Sequence, residues 1–254
     1  MEIASLASGS SGNCFYIENK GSAILVDAGI STKRIFKGLF DIKRSPDNLK
    51  AIFITHEHSD HIKGADVLAR KLNIPIFATK KTIENSTICS RPELINPIKN
   101  NEVIDLYGMK IEAFSKSHKA ADPVSFSISN THKISIITDA GYACENIISN
   151  ISDSNALFIE SNYDDDMLEK GSYPYFLKKW IKSDIGHLSN IQSALSVKEN
   201  ASSKLKYLIL SHLSKNNNTP DIALSTYKII KENHKLSPIT LVSPRETVTP
   251  LIKL

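Results

Sequence analysis

The sequence predicts an α/β chain in which two sheets are covered on their outer faces by helices. Three observations lead there. Short runs of β-branched and aromatic residues recur along the chain, helix-start signals stand between and after them, and each strand-rich half finishes with helices.

Taken in order, strands are expected over residues 13–18, 23–26 and 51–54, followed by a helical segment at 66–72 and strands at 103–107 and 110–114. Val124-Ser125-Phe126-Ser127-Ile128-Ser129 alternates apolar and small polar residues. At the two-residue period of a strand, that predicts one buried and one open face. Residues 133–137, 156–159 and 207–210 read as further strands, the last two nearly all apolar and therefore central. A helical segment is expected over 143–149. Ser189 and Gln192 form a capping box ahead of Ile191, Ala194 and Leu195, while Thr219-Pro220 sets an N-cap and an N1 proline before Ile222, Tyr227 and Ile230. No repeat, low-complexity tract or Pro/Gly-rich linker interrupts the chain, so one domain over residues 1–254 is expected.

Composition removes several classes of protein. With 41% hydrophobic and 23% charged residues, the chain lies away from the disordered range. A chain of this size buries about 73% of its unfolded surface, enough for two sheets without disulfide staples. Cys14, Cys89 and Cys144 are odd in number, widely spaced and never in a C-x-x-C pair, which argues against a disulfide framework or a zinc finger. Met1-Glu2-Ile3-Ala4-Ser5 has no basic segment leading into an apolar one, and nowhere do eighteen apolar residues run together. A cytoplasmic protein with no membrane partner is expected. The 31 basic against 27 acidic residues leave 31 − 27 = +4, which suits a solvated surface as well as a nucleic-acid partner.

Three of the eight histidines crowd into Thr55-His56-Glu57-His58-Ser59-Asp60-His61, directly after the apolar strand ending at Ile54. On an extended segment His56 and His58 project to one side, and Asp60 and His61 follow one turn later, so four metal-binding groups can face one small volume. Imidazole and carboxylate suit zinc, and also manganese or iron. Four such groups cannot complete two metal sites, so further ligands have to come from distant strand ends. Asp27 ends one strand and Asp139 another, each followed by Ala-Gly, read as a turn that aims the carboxylate past the sheet edge. His118 and His212 also follow strand-like runs.

Asp27, the 56–61 motif, His118, Asp139 and His212 stand in the order expected of the metallo-β-lactamase superfamily. More narrowly, Ala7-Ser8-Gly9-Ser10-Ser11-Gly12-Asn13, Val26-Asp27-Ala28-Gly29, Ala121-Asp122-Pro123, Gly186-His187-Leu188-Ser189-Asn190 and Ser211-His212-Leu213-Ser214 resemble the YycJ/WalJ family across nearly the whole chain. The resemblance implies a four-layer αββα sandwich with a centre of two divalent ions, zinc or manganese, at one edge. It also implies exonucleolytic cleavage of nucleic acid, with DNA attacked from a 5′ end.

By the same resemblance, one ion belongs to His56, His58 and His118 and the other to Asp60, His61 and His212, with Asp139 bridging. Asp60 is thereby both a ligand and part of the catalytic set. Two ions about 3.5–4 Å apart can hold a bridging hydroxide as nucleophile and clamp a phosphate oxygen. Asp27 is placed behind the ligands, accepting a hydrogen bond from one of the histidines. Gly186-His187-Leu188-Ser189 also resembles the Gly-His-Ser-Thr segment of tRNA 3′-processing endonucleases. Ile159-Glu160-Ser161-Asn162 takes the place of their His-Glu-Ala-Thr loop, of which only Glu160 matches. His187 is thereby the general acid and Glu160 its orienting partner. Ser11 and Asn13 are candidates for lining the substrate entrance, the alternative being an ordinary Gly/Ser turn.

Lys33-Arg34-Lys37 and Lys178-Lys179-Lys182 read either as solvated helix faces or as a phosphate-attracting surface on which Tyr175 and Trp180 stack against bases. His132 and His234 receive no function, and no protein partner is indicated. Three other readings stay open. They are a phosphodiesterase on small cyclic phosphates, a lactamase or thioester hydrolase, and a non-catalytic scaffold, against which the complete ligand set argues.

Overall fold

The computed structural model describes residues 1–231 and 236–254, which leaves His234 outside the described residues. Among them the strands are β1 (Glu2–Ala7), β2 (Cys14–Asn19), β3 (Ser22–Val26), β4 (Leu49–Phe53), β5 (Ile76–Thr79), β6 (Ile95–Ile98) and β7 (Val103–Leu106). There follow β8 (Met109–Ser115), β9 (Val124–Ser129), β10 (Lys133–Ile137), β11 (Ala156–Glu160), β12 (Tyr207–Ser211), β13 (Ile239–Val242) and β14 (Ile252–Lys253). The chain divides into two compact units, one of Met1–Ser115, Ala120–Phe126 and Ser243–Leu254, the other of Lys116–Lys119 and Ser127–Val242. No described helix is long and apolar enough to cross a membrane.

In the first unit a seven-stranded sheet runs in the order β14-β1-β2-β3-β4-β5-β6. Strands β1, β2 and β3 are antiparallel neighbours, while β3, β4, β5 and β6 run parallel. The helices Thr32–Asp41 and Ala65–Leu72 supply Ile35, Leu39 and Leu68 to one apolar cluster with Leu6, Leu25 and Ile52 of the sheet. Burial of each such side chain is worth about 1.5–3 kcal/mol. Phe53, at the end of β4, stacks on Phe77 at 4.7 Å and meets Phe126 edge-on at 5.5 Å. These rings give the strand leading into the histidine motif a stiff base.

The second unit is built on parallel β10, β11, β12 and β13, with Ile137 level with Ile159, Ile159 with Leu210, and Leu210 with Val242. The helices Glu145–Asp153, Asn190–Asn200 and Pro220–Lys231 fill the connections between them, the βαβ solution that parallel strands require. Ser189 accepts from the Gln192 N–H at 3.2 Å and Gln192 returns the bond to the Ser189 N–H at 2.9 Å, so the capping box forms as expected. Within each unit the parallel strands end level, so the residues just after β3 and β4 collect at an edge of the first sheet, and those just after β10, β11 and β12 at an edge of the second.

The alternation along β9 misled in one respect. Ser125 and Ser127 are buried like Val124, Phe126 and Ile128, with 0% and 2% exposure, so both faces of this strand are covered. Hydropathy registers polarity, whereas packing registers volume, and serine is small enough to be covered. The strands absent from the sequence reading are β1, β5, β6, β13 and β14. Most of them are four residues or fewer, and β6 carries Pro97 at a sheet edge, where a missing donor costs no ladder bond.

Candidate metal centre

The first unit brings His56, His58, Asp60 and His61 together with Asp27. The Asp27 N–H donates to the Phe53 carbonyl at 2.8 Å, which pins the residue after β3 to the end of β4. Its carboxylate then accepts from the Thr55 N–H at 2.9 Å, from Thr55 Oγ1 at 3.0 and 3.1 Å, and from His61 Nδ1 at 2.7 Å. With Nδ1 so engaged, His61 turns Nε2 toward Asp60 Oδ2, 3.4 Å away. Thr55 Oγ1 also lies 2.9 Å from His56 Nδ1. His56 Nε2 lies 3.0 Å from His58 Nδ1. That is a hydrogen-bond length, and it is close to the roughly 3.3 Å separating two nitrogens on one tetrahedral ion with bonds of about 2.0–2.1 Å.

The second unit gathers His118, Asp139, Glu160, His187 and His212. Ligand atoms of Asp139, Glu160, His187 and His212 all lie within 4.8 Å of one another. His118 Nδ1 is 3.1 Å from the Gly186 carbonyl, and His212 Nδ1 is 2.8 Å from Glu160 Oε1. Their Nε2 atoms face Asp139 Oδ1 at 3.9 and 3.5 Å. Glu160 is fully buried. Its Oε1 also lies 2.8 Å from His187 Nδ1, and its Oε2 accepts from the N–H groups of Ala140 at 2.8 Å and Leu188 at 3.2 Å.

One rule runs through both clusters. In His61, His118 and His212 a fixed acceptor holds Nδ1, which leaves the Nε2 lone pair facing a carboxylate of the same cluster. This is how proteins orient imidazoles toward a divalent ion, and the donor set of nitrogens and carboxylate oxygens fits one.

The backbone at these strand ends is unusual. Asp27, Asp139 and His212 are left-handed, with φ of 60°, 55° and 56°. A left-handed residue costs about 1–2 kcal/mol, so the surrounding bonds have to outweigh it. The glycines after the two aspartates have a different task from the turn expected of them. A Cβ on Gly29 would stand 1.6 Å from the Asp60 carbonyl oxygen, and one on Gly141 would stand 2.0 Å from that of Asp184. They permit close approach of another chain segment, and the aspartates make the turn themselves.

Burial pushes the His118 imidazole down to about 3, although Asp139 pulls the other way. Burial alone would raise the Glu160 carboxyl, but the charges and hydrogen bonds of His187 and His212 hold it down to about 2. Both shifts have the same consequence for stability. Below pH 6.5 the unfolded chain takes up a proton at His118 that the folded protein refuses until about 3, so stability is lost as pH falls through that window. Glu160 adds to the loss between 4.5 and about 2. Between pH 7.5 and 5, metal-free protein in EDTA is expected to lose about 2 kcal/mol through His118. Urea midpoints measure it, and His118→Asn should flatten the profile.

Asn13 is buried rather than placed at an opening. Its Oδ1 accepts from the Gly9 N–H at 3.0 Å and from Ser8 Oγ at 3.1 Å, and its Nδ2 stands 3.2 Å from His61 Nε2. Ser11 is exposed. Sequence reasoning missed Thr55, which ties Asp27 to two histidines. It also missed Asn162, whose Nδ2 donates to the His212 carbonyl at 2.9 Å. Only the position of Thr55 at the head of the motif could have signalled its part.

Clustered histidines and carboxylates at the ends of parallel strands, on two mixed sheets flanked by helices, define a metal-dependent hydrolase fold. The chain belongs to the metallo-β-lactamase superfamily, whose family model matches residues 7–98. Exodeoxyribonuclease WalJ of Streptococcus pneumoniae is 40% identical over 230 residues, covering 87% of this chain and 84% of that one. Exodeoxyribonuclease YycJ of Bacillus anthracis is 35% identical over 245 residues, covering 91% and 90%. YhfI from Bacillus subtilis, a metallo-β-lactamase fold protein, shares the fold with a TM-score of 0.74 at 16% identity over 98% of each chain.

Proposed function

We propose that the two units act as one hydrolase domain over residues 1–254 and that the protein is a metal-dependent 5′ to 3′ exonuclease on DNA. In this reading His56, His58 and His118 hold one divalent ion, zinc or manganese, and Asp60, His61 and His212 hold a second, with Asp139 shared. Asp27 fixes the tautomer of His61. Bound ions supply Lewis-acid polarisation of the phosphate and lower the pKa of water. The chain's own residues do the rest.

The observation that carries a phosphodiester reading is the Glu160–His187 pair beside Asp139. His187 Nδ1 is held at 2.8 Å by Glu160, and its side chain is 12% exposed against 1% for His118 and 2% for His212. It is the most exposed imidazole of this cluster. It serves as the general acid that gives a proton to the departing 3′ oxygen. DNA as substrate is supported by the two exodeoxyribonucleases above, 40% and 35% identical over 230 and 245 aligned residues. Ser11 and Asn13 belong to the same proposal, Ser11 at the entrance and Asn13 bracing His61 and Asp60. The cytoplasm is the proposed compartment, and it suits three widely spaced cysteines with no C-x-x-C pair.

The test is cleavage of matched 5′- and 3′-labelled linear DNA and RNA by protein reconstituted with zinc or with manganese. Mononucleotides released from the 5′ end of DNA are expected. If both polymers stay intact while cyclic dinucleotides are opened, the site is a small-molecule phosphodiesterase and the nuclease reading falls.

A further inference from the structure

The segment that carries His187 is pinned by its own unit. Ser117 Oγ donates to the Asp184 carbonyl at 2.5 Å, the Lys119 N–H to that of Ile185 at 3.1 Å, and the His187 N–H to that of Ile181 at 2.9 Å. The helix Tyr175–Ile181 sets Trp180 edge-on against His187, with ring centroids 5.6 Å apart and planes at 88°. Around this pinned segment, large apolar side chains face water. Tyr175 and Phe176, in the first turn of that helix, are 79% and 74% exposed, and Tyr142, next to Gly141, is 46% exposed.

Exposed rings of this size forgo about 1.5–3 kcal/mol of burial each, so folding does not account for them. Their surroundings indicate what they meet. Residues 175–182 carry Lys178, Lys179 and Lys182 and no carboxylate. Lys182 is paired with Glu169 at 2.9 Å, and Lys178 Nζ donates to the Glu169 carbonyl at 2.5 Å. Lys119, exposed, follows His118 directly. Rings interleaved with lysines, beside a phosphate-directed imidazole, suit unpaired nucleotides better than a protein or lipid surface. Tyr175 and Phe176 lie four or five residues from Trp180, about 6–7.5 Å along the helix, roughly the rise of two stacked nucleotides.

We propose that Tyr142, Tyr175 and Phe176 are stacking platforms for unpaired bases, so that the site engages a single-stranded end. The inference rests on the nucleic-acid reading above, but its test is independent of cleavage. Binding of a fluorescent oligothymidylate is measured by anisotropy in EDTA. Wild-type protein should bind it at least about 10-fold more tightly than it binds a duplex of the same length. The double variant Tyr175→Leu/Phe176→Leu, apolar but without rings, should bind it about 10-fold more weakly or worse, and Tyr142→Leu several-fold more weakly. The swap Tyr175→Phe/Phe176→Tyr should restore wild-type binding. Equal affinity of wild type and leucine variants for the single strand would overturn the proposal, as would equal affinity of wild type for single strand and duplex. Loss of a concentration-dependent dimer in the leucine variants, with DNA affinity unchanged, would instead make this face a contact between copies. Failure of the wild type to cleave either polymer while still binding single strands through these rings would strike the nuclease reading alone.

Discussion

Asp60→Ala protein is expected to release no nucleotide above assay background and to purify with at least one divalent ion fewer per chain than wild type. The expectation follows from what Asp60 does and does not hold. Its carboxylate supplies an anionic oxygen 3.4 Å from the His61 nitrogen that Asp27 has turned toward it. Removing it takes a charge from the cluster and leaves imidazoles that bind an ion less tightly. The fold depends on a different part of the residue. The Asp60 carbonyl accepts from the Asn13 N–H at 2.8 Å and abuts Gly29, and alanine keeps both contacts. The Asp60 side chain is 21% exposed, so no large cavity opens. Circular dichroism and the EDTA urea midpoint should therefore match wild type while metal content and cleavage collapse. Wild-type cleavage by Asp60→Ala would show that this carboxylate belongs to neither ion.

His187→Ala is expected to lower kcat on DNA by about 10²–10⁴-fold while metal content stays at the wild-type level. The leaving group separates a general acid from a ligand. The 3′ oxygen of a nucleotide departs as a strong base and needs a proton, whereas 4-nitrophenolate does not. Turnover of thymidine 5′-(4-nitrophenyl phosphate) should therefore fall far less than turnover of DNA. Equal losses on both substrates, with metal lost as well, would make His187 a ligand. Glu160→Gln is the less decisive change, because Glu160 holds His212 as firmly as it holds His187, at 2.8 Å each.

The His56 to His61 motif was legible because its metal-binding side-chain types are near neighbours in sequence, and local geometry alone converges them. The strand-end positions of Asp27, Asp139 and His212 were legible because an apolar run stopped one or two residues before each. The central strands β11 and β12 were legible as nearly uninterrupted apolar runs. What holds the histidines was harder to see. His118 is oriented by the carbonyl of Gly186, and a carbonyl has no side-chain signature. The left-handed turns at the aspartates looked like a property of the glycines two residues later, since glycine is the usual occupant of that conformation. The burial of Ser125 and Ser127 was hidden because alternation in polarity need not follow alternation in exposure. The four-layer sandwich and the division of ligands between two ions came from family resemblance rather than from any periodicity.

The four hydrogen-bond contacts of Glu160 also bear on how successive turnovers are connected. A carboxylate that meets two imidazoles through Oε1 and two backbone amides through Oε2, with its pKa held near about 2, has no capacity to store a proton at neutral pH. On the proposed reading, once His187 has given its proton to a departing oxygen, Glu160 has none with which to replace it. Replacement has to come from water at His187, the most exposed side chain of this cluster. An enzyme that steps along a strand would then recharge its acid from the bulk between nucleotides. The pace of the walk would be tied to solvent access at His187, and a strand seated so closely as to seal it off would stall after one cut.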